Sequence, residues 1–329
     1  MLRYSQVYGN YWFNRMGQST EDFAAIQLTS QSDLRTCVVV VPLHTLELED
    51  SEVSALIQAL CKLDDYEFVL LHKHSIAAAE LLDRLGKSAC PRKRAIHCIE
   101  VADECLASVD SYNKMLMQAW FYRLFRAWDY LLIFQLDAWI LGSDLQVWLQ
   151  KEYSYIGAPW TGHLGPDTPD SGVGNGGLSL RKVRDMLAVF EDQKRLQSAP
   201  VFRWGYLAWR MTLFRRYYLF PIRQWPLLFL KRLVLFARMS RGWHNTLAYF
   251  IEIGIQEDHV LGIYIPQVFP WFQLPTMQEA AAFAIETNPR LTRDFYAIQR
   301  PFGCHAWEKF DRDFWTDTYP DEFATLFGA

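Results

Sequence analysis

The sequence predicts a doubly wound α/β fold, in which a mostly parallel sheet lies between two layers of helices. Four runs rich in apolar and β-branched residues have the length of buried strands. Between these runs, apolar residues recur with the period of an α-helix. The predicted strands are 36–44, 66–75, 94–101 and 130–141, and the predicted helices are 51–63, 77–86 and 108–128. Such regular alternation is typical of a parallel sheet that is covered on both faces.

The second half of the chain follows the pattern less regularly. A short helix over 144–153 and a short strand over 154–160 lead into a loop rich in Gly and Pro over 161–177. Residues 178–192 begin as a strand and continue as a helix, and a further helix is predicted over 277–284.

The composition is that of a globular protein with a large core. The 329 residues suit one large α/β domain or two smaller ones. Hydrophobic residues make up 51% of the chain and charged residues 21%, which excludes a disordered protein. Aromatic residues reach 16%, with 13 Trp, so ring-lined surfaces for sugars, lipid or a partner are expected in addition to the core.

A basic, aromatic segment divides the chain. Residues 193–251 contain eleven Lys or Arg and no Asp or Glu, and Pro221 and Pro226 interrupt the segment. One interpretation is a helical hairpin that lies on an anionic membrane surface, with Arg and Lys on the headgroups. The alternatives are a helical subdomain with a solvated basic face, or a dimer interface. No nucleic-acid partner is expected, because the apolar content is too high and no RNA- or DNA-binding module is present.

The cysteines and the N-terminus indicate the compartment. The six cysteines are scattered without C-x-x-C spacing, which favours reduced thiols. No secretory signal and no apolar run long enough to span a bilayer is found. We therefore expect a cytoplasmic protein, held peripherally at the inner face of the plasma membrane if the basic segment contacts lipid.

Candidate ligand-binding residues follow two of the predicted strands. In doubly wound sheets, ligands bind outside the carboxyl ends of the strands. Pro42 and His44 close the first strand, and Gln135 and Asp137 lie at the end of the fourth. The Asp137 carboxylate could hold Mg²⁺ or Mn²⁺ against a diphosphate, because these cations prefer hard oxygen ligands. The alternative is a helix N-cap or a solvated turn acid.

A glycine-rich segment lies over 172–181. Its four glycines and Asn175 allow positive φ angles and the close approach of a ligand to the backbone. The G-x-G-x-G-G spacing is not the dinucleotide fingerprint, and the segment is not a Walker loop because no Lys follows the last glycine. A tight hairpin turn is the alternative.

Two further segments contain groups that could take part in catalysis. Adjacent acids, Glu257 and Asp258, stand between apolar runs, and one of them could act as a general base. The alternative is the first turn of a helix, where acids also favour the helix dipole. His305 lies among apolar residues near the C-terminus and is either a core histidine or a second ligand at the Asp137 site.

Taken in order, these segments resemble a glycosyltransferase-like family that was first described as a domain of unknown function. The motifs are Q-L-D at 135–137, Y-I-G-A-P-W at 155–160, V-G-N-G-G-L-S-L-R at 173–181, E-D at 257–258 and P-F-G-C-H at 301–305. The resemblance covers most of the chain. It implies a GT-A fold, which is a Rossmann-like, mostly parallel sheet that binds a nucleotide-sugar.

The resemblance also implies a role for each candidate residue. Asp258 would be the catalytic base of an inverting transfer, with Glu257 and Glu286 as additional candidates, and Asp137 and His305 would bind a divalent cation, Mn²⁺ or Mg²⁺. Pro42, His44, Gln135 and Asp137 would bind the donor, and Trp160, Asn175, Gly176 and Gly177 would border donor and acceptor. Gln135 replaces the first acid of the D-x-D motif of GT-A enzymes, so that Asp137 is the motif's one carboxylate.

The resemblance further implies partners and a division of the chain. The partners would be a nucleotide-sugar donor and a glycan or lipid-linked glycan acceptor. Residues 1–35 would form an N-terminal extension, 36–191 the donor-binding half, 192–251 the helical insertion, and 252–329 the acceptor side. The alternative function is a non-catalytic relative that keeps the GT-A fold and binds a glycan or a protein partner.

Overall fold

The computed structural model describes residues 36–77, 81, 95–161, 169–192, 195–196 and 255–324. The predicted N-terminal extension lies outside the described residues, as do almost all of the basic insertion and most of the predicted helix over 77–86.

In the first half of the chain the described strands and helices follow the predicted order, and the helix predicted over 77–86 is not tested. The strands are β1 (Cys37–Leu43), β2 (Glu67–Lys73), β3 (Ile96–Val101), β4 (Tyr130–Phe134), β5 (Trp139–Ile140), β6 (Tyr155–Gly157), β7 (Pro159–Thr161), β8 (Pro169–Val173), β9 (Leu178–Lys182), β10 (Ala284–Ile285) and β11 (Gly303–Cys304). The α-helices are α1 (Asp50–Lys62), α2 (Val109–Leu116), α3 (Ala119–Arg123), α4 (Leu145–Gln150), α5 (Val183–Glu191), α6 (Glu257–His259), α7 (Ile265–Val268), α8 (Met277–Phe283), α9 (Pro289–Phe295) and α10 (Arg312–Thr318). A π-helical turn, Val260–Tyr264, joins α6 to α7.

The central sheet has the order β3-β2-β1-β4-β9-β6. Strands β1 to β4 are parallel, whereas β9 runs antiparallel to both β4 and β6. The predicted fold class is confirmed: a mostly parallel, Rossmann-like central sheet is flanked by helices.

Two hydrophobic cores lie on the two faces of this sheet. Alternate residues of β1 point to opposite faces, so that Val39 and Val41 belong to one core and Val38 and Val40 to the other. The first core includes α1 and the C-terminal segment around Trp307 and Trp315, and the second includes α2, α3 and α5. Burial on both faces explains why β1, β2 and β4 are largely apolar runs in the sequence.

Three predicted elements differ from the structure. The helix over 108–128 is broken after Leu116, because the buried Tyr122 hydroxyl donates to the Leu116 carbonyl at 2.8 Å and turns the chain into the core. The strand over 130–141 is interrupted between β4 and β5, so the Gln135–Asp137 segment forms a bend. The predicted loop over 161–177 contains β8, which pairs with β7 as a hairpin.

A small second sheet returns the C-terminal part of the chain to the central sheet. Its order is β10-β11-β5, with β11 antiparallel to β5 and parallel to β10. The backbone N–H groups of Leu141 and Gly142 both donate to the carbonyl of Phe302 at 2.8 Å, which fixes the register next to β5. This pairing places the residue after Cys304 beside the bend that follows β4.

The cysteines differ in part from the expectation of reduced thiols. Cys37, Cys98, Cys105 and Cys304 are free, but Cys61 in α1 is disulfide-bonded. The expectation is therefore wrong at Cys61, because a disulfide joins positions that the fold brings together and C-x-x-C spacing does not report on such pairs. In the described ranges, no helix combines the length and the apolar character needed to cross a bilayer.

Candidate functional site

The candidate site begins at the bend that follows β4. The backbone N–H of Gln135 donates to the carbonyl of Gly177 at 2.9 Å, and that of Ala138 donates to the carbonyl of Gln135 at 2.9 Å. The bend turns Asp137 out of the sheet, and its side chain is 52% exposed. The prediction that Asp137 lies at the mouth of the strand is correct. It is not a helix N-cap, because the next helix is α4, capped by Asp144.

His305 lies against this bend. Its Nε2 is 3.1 Å from Oδ1 of Asp137 and 3.2 Å from Oε1 of Gln135. Its Nδ1 is 3.1 Å from Oε1 of Glu286, which follows β10. The small second sheet thus joins four of the predicted site residues that are up to 170 positions apart in the sequence.

The two carboxylates determine the charge of His305. Burial alone would lower the pKa of the imidazole, but the hydrogen bonds from Asp137 and Glu286 outweigh burial and raise it to about 10. Burial likewise opposes ionisation of Asp137, yet the hydrogen bond and charge of His305 hold its pKa below the usual value. In this arrangement, the ring is an imidazolium that donates one N–H to each acid.

The same atoms fit one edge of a divalent-cation site. Neighbouring ligands on an octahedral cation with bonds of about 2.1 Å are about 3 Å apart, and Asp137 Oδ1 and His305 Nε2 are separated by 3.1 Å. Glu286 on Nδ1 would orient the ring, as carboxylates behind metal-binding histidines do. Across the residues that the structure describes, no three His, Cys, Asp or Glu side chains form a complete metal site. The remaining ligands would have to come from the substrate.

The glycine loop lies directly behind His305. The Asn175 side chain accepts a hydrogen bond from the Gly177 backbone N–H at 2.9 Å, so it closes the turn between β8 and β9. A β-carbon on Gly177 would overlap the imidazole of His305, and one on Gly176 would lie 2.9 Å from Oε1 of Glu257. The peptide unit that joins Gly176 to Gly177 therefore lies between the His305 cluster and the acidic pair.

Gly177→Ala is expected to displace His305 and to lower the free energy of unfolding by about 1–3 kcal/mol, because the overlap involves a buried ring that cannot move freely. Urea denaturation measures the effect. Gly142→Ala is the control and should cost less, since the atom nearest to its β-carbon would be a Phe302 ring carbon at 3.3 Å. Unchanged stability of Gly177→Ala would contradict the packing of this loop on the histidine.

Glu257 forms a buried ion pair with an arginine. The Arg181 guanidinium, which has no exposed surface, forms an ion pair with Oε1 of Glu257. It also donates to the Tyr122 hydroxyl at 3.1 Å and to the carbonyl of Gly176 at 3.5 Å. Burial and the neighbouring Asp258 raise the pKa of Glu257, while Arg181 opposes the shift. Glu257 thus packs against the glycine loop and is held through Oε1 by Arg181.

The Asp258 carboxylate is held through one of its two oxygens by the residue that follows it. Its Oδ1 accepts from the backbone N–H of His259 at 2.7 Å and contacts Nδ1 of the same ring at 3.0 Å. In the described part of the chain, no hydrogen bond of this carboxylate uses Oδ2. The acidic pair does open a helix, as one interpretation of the sequence held, but both acids are buried. Such a carboxylate has one oxygen fixed and the other available to accept a proton.

The other predicted donor and loop residues lie in different surroundings. Val40 pairs with Ile133, so that His44, exposed just after β1, lies at the same end of the sheet as Asp137. Pro42 is a half-buried residue of β1. Trp160 is buried and stacks on His259, with ring centroids 4.5 Å apart, so its ring supports the acidic segment rather than forming an open platform.

Two residues of this arrangement are not among the predicted site residues. Arg181 belongs to the glycine motif, and a charged residue inside an otherwise apolar strand indicates a buried partner. His259 directly follows Asp258, and this adjacency is the signal that the sequence contains.

One family profile and two solved structures are similar to this chain. The profile of the family described as "Protein of unknown function (DUF5672)" matches residues 95–305. A comparison with curated proteins finds no match. The solved core-mannan synthase A from Aspergillus fumigatus, in an Mn/GDP form, is 9% identical with a TM-score of 0.34, and the match covers 50% of this chain and 65% of that one.

A second solved structure, the apo form of mouse xyloside xylosyltransferase 1, is 11% identical with a TM-score of 0.41, covering 82% of this chain and 97% of that one. At these identities and scores, neither likeness carries an inference about function. The family match, by contrast, spans well over half of the chain and includes the bend after β4, the glycine loop, the acidic pair and His305. The protein therefore belongs to the DUF5672 family.

Proposed function

We propose that the protein is a metal-assisted, inverting glycosyltransferase that moves a sugar from a nucleotide-sugar to a glycan or lipid-linked glycan. The observation that carries this proposal is the position of Gly176 and Gly177. One adjoins Glu257, beside Asp258, and the other adjoins His305, beside Asp137. The donor diphosphate would bind on the His305 side of this backbone, and the acceptor hydroxyl would approach from the Asp258 side.

The donor side consists of Asp137, His305 and Gln135. A cation bound by Asp137 and His305 would neutralise the charge that develops on the leaving diphosphate. His305 would give up its Nε2 proton when the cation binds, while Glu286 keeps the ring oriented through Nδ1. The Gln135 amide, which already reaches Nε2, can hydrogen-bond ribose or sugar hydroxyls.

The acceptor side is Asp258. Its unoccupied Oδ2 would take the proton of the acceptor hydroxyl as that oxygen forms a bond to the anomeric carbon. The bond from the anomeric carbon to the diphosphate breaks in the same step, and the diphosphate leaves with the electron pair. The fixed Oδ1 holds the carboxylate in one orientation during the transfer.

The proposal gives the acceptor as a class, a glycan or a lipid-linked glycan. The basic segment 193–251 precedes the acidic pair in the sequence, and its composition favours an acceptor at an anionic membrane surface on the cytoplasmic side. This segment falls outside the described residues, so that membrane contact and location stay predictions.

A thermal-shift panel of nucleotide-sugars, each with and without Mn²⁺, tests the donor site. A donor at one hundred times its Kd is expected to stabilise the folded state by about 2.7 kcal/mol. We expect a shift that needs Mn²⁺ for one class of donor and that disappears in Asp137→Asn. Asp110→Asn, which changes an exposed acid of α2, is the matched control.

The results of this panel distinguish the transferase from a non-catalytic binding protein. A cation-dependent shift together with transfer of the sugar supports the transferase. A donor that binds without any transfer, across a broad set of acceptors, supports the non-catalytic glycan- or partner-binding relative. An equal shift in the wild-type protein and in Asp137→Asn contradicts the donor site itself.

A further inference from the structure

A polar cavity lies at the end of the sheet opposite the candidate active site. Its volume is about 560 Å³, which is within the usual range for small-molecule sites. One wall is the end of β9: Leu178 pairs with the last residue of β4, whereas Lys182 pairs with the first. At about 3.3 Å per residue, Lys182 is roughly 17 Å along the strand from Gly177. The cavity is therefore separate from the residues proposed for transfer.

A fully buried serine joins the walls of this cavity. The Ser154 backbone N–H donates to the Gln273 carbonyl at 2.8 Å, and its carbonyl accepts from the Lys182 N–H at 2.9 Å. Its hydroxyl accepts from the Gln273 N–H at 2.9 Å and donates to Oδ2 of Asp185 at 2.7 Å. Three segments that are distant in the sequence are thus tied at one residue, so that the cavity has fixed walls.

The cavity contains a buried cation without a hydrogen-bonding partner. The Lys182 side chain is 9% exposed, and its nearest carboxylate oxygen, on Glu152, is 4.0 Å from Nζ. In the described part of the chain, Nζ makes no hydrogen bond, and its other contact is with the face of the Tyr130 ring at 5.9 Å. An anionic ligand in the cavity would form the charge-assisted hydrogen bond that Nζ lacks.

The other charged groups of the cavity are already paired. Lys151 donates to Glu279 at 2.8 Å, and Arg184 donates to Asp185 at 3.1 Å. The hydrogen bond from Lys151 holds the pKa of Glu279 at about 2, so that this acid remains ionised and keeps Lys151 engaged. Glu152, the remaining acid of the cavity, lies 4.0 Å from Nζ of Lys182 without a hydrogen bond to it, so Lys182 is the cation that can donate to a ligand.

An exposed aromatic ring stands at the rim. Trp271 is 39% exposed, and its ring is held edge-on against Phe269 with centroids 5.5 Å apart. Tyr153 and Gln273 line the same cavity. A sugar ring has an apolar face of C–H groups that can pack on an aromatic ring, and hydroxyls that such polar side chains can bind.

We propose that this cavity binds an anionic sugar unit, which is one that carries a carboxylate or a phosphate. The anionic group would contact Nζ of Lys182, and the apolar face of the sugar would pack on Trp271. The proposal goes beyond the transferase function and does not depend on it, because binding at the cavity needs neither the cation site nor Asp258.

Calorimetric titration with four probes tests the proposal: glucuronic acid, glucose 6-phosphate, glucose and inorganic phosphate. We expect the two anionic sugars to bind and to bind more tightly than either glucose or inorganic phosphate. Lys182→Met keeps the aliphatic stem on Tyr130 and removes the charge, and it should weaken binding roughly tenfold to a hundredfold. Trp271→Ala should weaken binding of both anionic sugars to a similar degree.

Matched controls assign the binding to this cavity. Lys114→Met removes an exposed cation of α2 and should leave binding unchanged, as should Asp137→Asn at the proposed donor site. If Lys182→Met does not fold, Trp271→Ala decides the question, because the exposed ring does not form part of the core. The proposal is overturned if no probe binds, if glucose or phosphate binds as tightly as the anionic sugars, or if Asp137→Asn abolishes binding while Trp271→Ala does not.

Discussion

Asp258→Asn is expected to lower sugar transfer about 10²- to 10⁴-fold, because the amide cannot accept the proton of the acceptor hydroxyl. The substitution keeps the shape of the side chain, and its carbonyl oxygen can still accept from the backbone N–H of His259. The short helix that opens with Glu257 should therefore keep its position. Initial rates with a saturating donor measure the loss, and the donor-induced thermal shift should remain at the wild-type value.

A matched control makes this prediction specific. Asp110→Asn removes a carboxylate of the same type from the surface of α2 and should transfer at the wild-type rate. Near-normal transfer by Asp258→Asn would exclude this residue as the base. Loss of both transfer and donor binding would mean that the substitution disturbs the glycine loop instead.

The central sheet was predictable from the sequence because three of its first four strands, β1, β2 and β4, are buried on both faces. Burial of this kind requires a continuous apolar run, as in the Val38–Val41 segment of β1, which is a strong local signal. The second sheet was not predictable in this way. β5, β10 and β11 have two residues each, and only their pairing over long sequence distances defines them.

The candidate site was predictable to the extent that its residues belong to motifs. Asp137 and His305 are adjacent because β5 and β11 pair, a contact that no spacing in the sequence indicates. Glu286 joins them for the same reason through β10. The stacking of Trp160 on His259 and the pairing of Arg181 with Glu257 depend on packing between distant segments, and local patterns do not identify the partner residue in either contact.

Breaking the buried pair between Arg181 and Glu257 is expected to have the largest effect on stability. Glu257→Leu leaves an arginine without exposed surface and without its counter-ion, and arginine cannot lose its charge by releasing a proton. We expect the free energy of unfolding to fall by about 3–5 kcal/mol. Urea denaturation at constant pH measures this change through the midpoint, provided that the slope is unchanged.

Removal of the arginine instead of the acid should lower stability less than Glu257→Leu does, and the size of this loss should depend on pH. In Arg181→Met, Glu257 stays buried without a cation, and burial then raises its pKa above that of the unfolded chain. The folded state consequently binds more protons than the unfolded state, so that stability falls as the pH rises from about 5 to 8. Glu257→Leu contains no such acid at this position and should show a pH dependence closer to that of the wild-type protein.

The double variant tests whether the loss of stability comes from an unpaired charge or from the other hydrogen bonds of Arg181. Arg181→Met with Glu257→Leu removes both ions, and replacing a complete buried pair with apolar side chains is often close to neutral in stability. We expect the double variant to be more stable than Glu257→Leu, although the carbonyl of Gly176 and the hydroxyl of Tyr122 lose the hydrogen bonds that Arg181 donates. If the double variant lost as much stability as the two single variants together, the two side chains would not interact. Recovery of stability without recovery of donor binding would assign to Arg181 the positioning of the glycine loop, because Gly176 then lacks the guanidinium that holds its carbonyl.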